Sequence, residues 1–209
     1  MKTTLCLVRH GETDWNVARR LQGHLDIPLN AIGLQQAAAA ACGLISHGFH
    51  AIYSSDLLRA RQTAQAAAQG LGLSIIEWPA LRERHFGLFQ GLTAAEAEAR
   101  FPDAYANYIS RQCDYIPPDG GESLAGFASR VHGALMQIVA AHPGQAVLVV
   151  THGGVLHMAN RMVTGVPIDE PRDYPIPNAA LNWLSYRDGQ WRIDHWADQR
   201  HLQGALDEI

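Results

Sequence analysis

Leu5-Cys6-Leu7-Val8-Arg9-His10-Gly11-Glu12-Thr13 is the stretch from which the fold is read. Four apolar residues run straight into an arginine, a histidine and a glycine. A short apolar run stopped by glycine fits a strand buried on both faces of a parallel sheet. Ligands of such sheets sit just beyond the carboxyl ends of the strands, which is where Arg9 and His10 fall. Ala146-Val147-Leu148-Val149-Val150-Thr151-His152-Gly153-Gly154 repeats the design. If the two strands are neighbours, His10 and His152 meet over one crevice.

The segments around them alternate in type. An Ala-rich helix starts at Asn30 or Ala31, with Leu34, Ala37, Ala38, Ala41 and Leu44 at helical spacing. Ala51-Ile52-Tyr53 reads as a strand. Ser54-Ser55-Asp56 supplies N-cap oxygens for a helix from Leu57 to Gln69, and Leu73 to Ile76 reads as the next strand. This order predicts an α/β fold, a three-layer α/β/α arrangement around a mostly parallel sheet. A second capped helix runs from Ser123 to about Ala141, and another from about Val155 to Val163. Ala180–Tyr186 and Trp191–Trp196 read as a C-terminal β-hairpin. Residues 93–119, with Tyr105, Tyr108 and Tyr115, are expected to form a small inserted helical lobe within a single domain, 1–209.

Composition narrows the function. The 209 residues are 47% hydrophobic, enough for a sizeable core, and the net charge of −4 gives no global nucleic-acid or membrane surface. No stretch is long enough to span a bilayer. Cys6, Cys42 and Cys113 cannot all pair and match no metal spacing, so reduced thiols in a cytoplasmic protein are expected.

The residues at the strand ends suit phosphoryl transfer. A neutral imidazole at His10 is a nucleophile toward phosphorus. Arg9 beside it, and Arg59 on the first turn of the helix after Asp56, can hold phosphate oxygens with their planar forks. Glu83 is the best proton donor to a leaving alkoxide and can later take a proton from water; Glu12 and Glu122 are rival acids. His152, protonated, would stabilise charge building on the phosphoryl group. Asn16, Gln22, Gly23, Thr151 and Gly153 are candidate substrate-binding residues, though loop and strand-end hydrogen bonds are an equal use for Asn16 and Thr151.

These residues carry a resemblance. Leu7 to Asn16, Tyr53 to Ala64, Leu81 to Gly87, Gly120 to Ser123 and Val150 to Gly154, in that order, resemble the histidine phosphatase superfamily, which includes cofactor-dependent phosphoglycerate mutases and related phosphatases. The resemblance implies a phosphohistidine at His10, a phosphate pocket from Arg9, Arg59 and His152, Glu83 as proton donor, and no metal. It implies a small phosphorylated metabolite as substrate. The apolar pattern of Ala180–Tyr186 permits an edge-paired dimer without requiring it, so a monomer or homodimer is expected. The similar mutases carry a lysine just after the segment matching Gln90-Gly91-Leu92 and two adjacent arginines in the lobe. Here Thr93-Ala94-Ala95 stands in the first place, and the lobe has only Arg100 and an isolated Arg111. A phosphatase is therefore expected. The alternative is a phosphoglycerate mutase, and only that activity would call for 2,3-bisphosphoglycerate.

Overall fold

The computed structural model describes residues 1–202. Its elements are β1 (Thr3–Arg9), α1 (Asp14–Val17), α2 (Ala31–Leu44), β2 (Ala51–Ser54), α3 (Leu58–Leu71), β3 (Ile75–Glu77), α4 (Ala94–Arg100) and α5 (Pro102–Ile109). They continue with α6 (Leu124–Ala141), β4 (Ala146–Thr151), α7 (Gly153–Thr164), β5 (Leu181–Arg187) and β6 (Gln190–Asp198). The sheet has six strands in the order β3-β2-β4-β1-β5-β6. The pairs β3–β2, β2–β4 and β4–β1 are parallel, and β5 and β6 add an antiparallel edge.

Alternation along the central strands builds both cores. Leu5 and Leu7 of β1, with Val147 and Val149 of β4, face the apolar stripes of α6 and α7. Cys6 and Val8, with Leu148 and Val150, face α2 and α3 instead. All eight are essentially inaccessible, which is why both strands read as unbroken apolar runs rather than as alternating ones. A separate small cluster joins Phe89, Leu92 and Ala97 with Phe86, Phe101, Tyr105 and Tyr108. The lobe tyrosines are thus packing residues: Phe89 lies 5.2 Å from Tyr108 and 5.9 Å from Tyr105, ring to ring. The Tyr115 hydroxyl donates to the Ala104 carbonyl at 3.0 Å.

Several local expectations change. The segment after β1 begins with one helical turn, α1, because Thr13 and Asn16 form a reciprocal capping box. The start of α3 is not capped by Ser54 or Asp56; Asp26, from a distant loop, accepts the Leu58 N–H, while Ser55 Oγ accepts that of Leu57 at 3.3 Å. Helix α7 begins at Gly153, two residues earlier than expected, with His152 as its N-cap. Glu83 follows a 3₁₀ turn, Pro79–Leu81, rather than a strand.

Candidate active site

The parallel pairing of β1 with β4 sets Arg9 beside Thr151, so the chain beyond each strand delivers its histidine to the same place. The His10 N–H donates to the Thr151 carbonyl at 2.9 Å, and the two imidazole centroids stand 5.2 Å apart. The His10 carbonyl accepts from Asn178 Nδ2 at 2.8 Å, and the Gly11 N–H donates to Thr63 Oγ1 at 3.0 Å. His10 is held from the β5 side and the α3 side alike.

His10 Nδ1 lies 2.7 Å from the Gly11 carbonyl, an acceptor only, so Nδ1 carries the proton and Nε2 keeps its lone pair. Burial, then the charges of Arg59 and Arg9, push this imidazole well below its usual range. His10 is therefore a neutral ring with a free nitrogen, as nucleophilic attack requires.

The two arginines are built alike. Arg59 is fully buried, and its terminal nitrogens donate to the carbonyls of Leu25 and Gly23, each at 2.8 Å. Arg9 donates to the Ile176 carbonyl at 2.7 Å. Among the described residues these guanidinium groups bond only backbone carbonyls, and the Nε of each is buried without a partner. Burial lowers both pKa values, that of Arg59 to about 10, which leaves both cationic at neutral pH. The charge of Glu83 offsets part of that shift at each arginine, but among the described residues neither guanidinium bonds a carboxylate; a phosphate seated between them would add a direct counter-ion.

Glu83 faces them. Its Oε1 accepts the Arg84 N–H at 2.8 Å and its Oε2 the Gly154 N–H at 2.9 Å. A Cβ on Gly154 would run into Oε1, so glycine is needed where α7 approaches the carboxylate. Neither flanking arginine takes Glu83: Arg82 pairs with Asp56, and Arg84 Nε donates to the Glu122 carbonyl at 2.8 Å. The rival acids are otherwise engaged. Glu122 holds Arg130, and Glu12 accepts from Asn30 Nδ2 at 2.9 Å. Arg130 in turn reaches the carbonyls of Ala80, Arg82 and Glu83, shaping the loop that carries Glu83.

Arg9, His10, Arg59, Glu83 and Gly153 line one cleft of about 160 Å³ with Asn16 and Gln22. Larger surface cavities hold none of these groups. Asn16 Oδ1 is taken by the Thr13 N–H and hydroxyl, which leaves its amide N–H₂ for the cleft. Gln22 Nε2 donates to Thr13 Oγ1 at 2.8 Å, and its Oε1 is buried and unpartnered. One expectation is corrected here. Thr151 does not line the cleft: it is fully buried and its hydroxyl donates to the Leu81 carbonyl at 2.7 Å. Gly23 gives its carbonyl to Arg59 at 2.8 Å.

His152 is expected to hydrogen-bond a phosphoryl oxygen in its protonated form. Burial, then the charge of Arg59, drives its pKa well below the usual value, so the ring is neutral in the free protein. Its Nε2 lies 2.8 Å from Ser55 Oγ. Sequence reasoning passed over Ser55, Asn178 and Arg130. A serine before a helix reads as a cap, and nothing local marks partners 97 or 168 positions apart. Among the described residues no group of three or more His, Cys, Asp or Glu side chains is arranged to hold a metal ion, and no helix is long and apolar enough to cross a membrane.

The chain is similar to known proteins over nearly its whole length. The chain is 43% identical over 205 residues to a metal-independent phosphoserine phosphatase of Arabidopsis thaliana, covering 97% of this chain and 84% of the relative. It is 41% identical over 206 residues to phosphoglycerate mutase-like protein 4 of the same plant, covering 95% and 86%. A solved mycobacterial glucosyl-3-phosphoglycerate phosphatase superposes with a TM-score of 0.83 at 33% identity, over 95% of this chain and 100% of that one. The model of the histidine phosphatase superfamily (branch 1) matches residues 5–199. With its two strand-end histidines facing each other over buried arginines, and with that match over nearly its whole described length, the chain belongs to the histidine phosphatase superfamily.

Proposed function

We propose that this phosphomonoester hydrolase acts on a small phosphorylated metabolite through a phosphohistidine on His10, with Glu83 as acid and then base. The observation that carries the reading is the 5.2 Å approach of the His10 and His152 rings beside two guanidinium groups, of buried Arg59 and half-buried Arg9, that are bonded only by backbone carbonyls. His10 Nε2 attacks phosphorus while the ester P–O bond breaks, and the leaving alkoxide takes the proton of the Glu83 carboxyl group. Arg9, Arg59 and His152 hold the three equatorial oxygens, where charge must be matched in transfer. Water then attacks the phosphohistidine, Glu83 carboxylate takes its proton, and inorganic phosphate leaves with His10 restored.

Hydrolysis is favoured over mutase action by the lobe. A mutase must clamp an anionic intermediate long enough to rephosphorylate it. Arg111 instead spends its guanidinium on the carbonyls of Ile168, Asp169 and Glu170. Arg100 stacks on Phe101 at 5.4 Å. Arg20, which does line the cleft, is paired with Glu96.

The test is a panel assayed in EDTA: p-nitrophenyl phosphate, phosphoserine, and 3-phosphoglycerate with and without 2,3-bisphosphoglycerate. Phosphoserine leads because of the Arabidopsis phosphatase named for it. Phosphate release undiminished by EDTA is expected. A strict need for added metal, or 2-phosphoglycerate appearing faster than phosphate, would overturn the reading. Glu83→Gln sharpens it: the loss should be largest with the alkyl leaving group of phosphoserine and smallest with p-nitrophenol, and an equal loss with both removes Glu83 from the acid role.

A further inference from the structure

Ser55 lies at the carboxyl end of β2, one residue past the strand, and is fully buried. Its N–H donates to the Val150 carbonyl at 3.0 Å, which fixes it against the last residues of β4. Its side chain meets two groups. The Leu57 N–H donates to Oγ at 3.3 Å, and His152 Nε2 lies 2.8 Å from the same oxygen.

A hydroxyl has one proton to give. At Ser55 one lone pair is engaged by the Leu57 N–H, and among the described residues the only acceptor within reach of the proton is the imidazole nitrogen. Donation to that nitrogen requires Nε2 to be the unprotonated atom, so a neutral His152 carries its proton on Nδ1. The protein gives Nδ1 no partner: it is buried and makes no hydrogen bond. A buried N–H without an acceptor is costly, and its persistence calls for a ligand oxygen. The ring that bears it stands 5.2 Å from the ring of His10.

We infer that Ser55 is a positioning residue whose hydroxyl, by donating to His152 Nε2, keeps the His152 proton on Nδ1 as a donor to the phosphoryl group in transfer. The opposite tautomer would direct a lone pair at a phosphoryl oxygen. The inference rests on the phosphohistidine reading for its catalytic consequence, but the placing of the proton stands apart from any activity.

Two measurements on the full-length protein separate the cases. In long-range ¹H–¹⁵N spectra at neutral pH, His152 should show Nδ1 protonated and Nε2 bare, and Ser55→Ala should convert it to a mixture. A wild-type ring protonated at Nε2 overturns the inference whether or not the protein turns over phosphate. In kinetics, Ser55→Ala should lower kcat for p-nitrophenyl phosphate by about 10- to 100-fold, a fraction of what one transition-state donor supplies. Affinity for vanadate should fall in step and affinity for phosphate less, and Ser55→Thr should recover part of the loss. His152→Gln carries an amide donor with no tautomer to choose, so adding Ser55→Ala to it should cost under about threefold. An equal loss in both backgrounds makes Ser55 merely structural and ends the proposal. Activity absent from the wild type with every phosphomonoester would sink the catalytic reading and leave the spectrum to decide the proton.

Discussion

The two ends of the cleft are made differently. At the sheet end, buried Arg59 and half-buried Arg9 are held by backbone carbonyls and, among the described residues, bond no carboxylate. At the lobe end, Arg20 sits in an ion pair with Glu96, the N3 residue of α4, and Arg111 ties the lobe to the loop before β5. A cation bonded only by carbonyls can still take an anion; a cation already in an ion pair fastens one element to another. If the proposed chemistry belongs to the sheet end and the lobe end sets fit, substitutions at the two ends should act on different quantities.

The sharpest break in that contrast comes from His10→Ala, which should abolish phosphoenzyme and cut turnover by on the order of 10⁴-fold or more; labelled protein in this variant would put the nucleophile elsewhere. Next is Gly154→Ala. Its Cβ collides with Glu83, so activity should fall by about 10²-fold, the scale of a displaced acid, while unfolding temperature moves by only a few degrees. Unchanged turnover would show that Glu83 does not need its seat on α7.

The lobe end should answer more quietly. Arg111→Ala removes three carbonyl contacts, and a loss of about 1–3 kcal/mol in stability is expected with turnover of p-nitrophenyl phosphate within about threefold. A collapse of kcat instead would erase the division of labour.

Acidity gives the smallest and most diffuse effect. Burial lowers the pKa of His10, His24, His152 and His157, the last to about 4. Below the unfolded histidine value near 6.5 the unfolded chain binds more protons than the folded one, so stability is full above that value and is lost as pH falls toward the depressed values. Calorimetry should show the unfolding temperature falling steadily from pH 7 to pH 5.

Much of the sheet end was legible from residues alone. A strand buried on both faces writes a continuous apolar run, and a functional group at its end stands out against it, as Arg9-His10 and His152 do. Arg59 was legible because a helix after a strand must start at the same edge. What stayed hidden was supplied from afar. Asp26 caps α3 across 32 positions, and no local pattern can announce that. Gly153 and Gly154 read as loop because two glycines weaken a helix; the missing side chain of Gly154 admits Glu83 instead. Thr151 was given to the ligand because it adjoins His152, but strand alternation turns its hydroxyl inward to Leu81.

The place of β1 between β4 and β5 sets an order of assembly. The strand that leads into His10 is synthesised first, yet its hydrogen-bonding partners are the residues around 146–151 and 181–186. During vectorial synthesis it must wait, edges bare, while most of the polypeptide emerges. Such distant pairing slows folding and exposes the waiting strand to wrong neighbours. It also means that competence comes last: until the segment bearing Ile176 and Asn178 has docked, Arg9 and His10 lack the contacts that aim them, and a nascent or clipped chain stays inert.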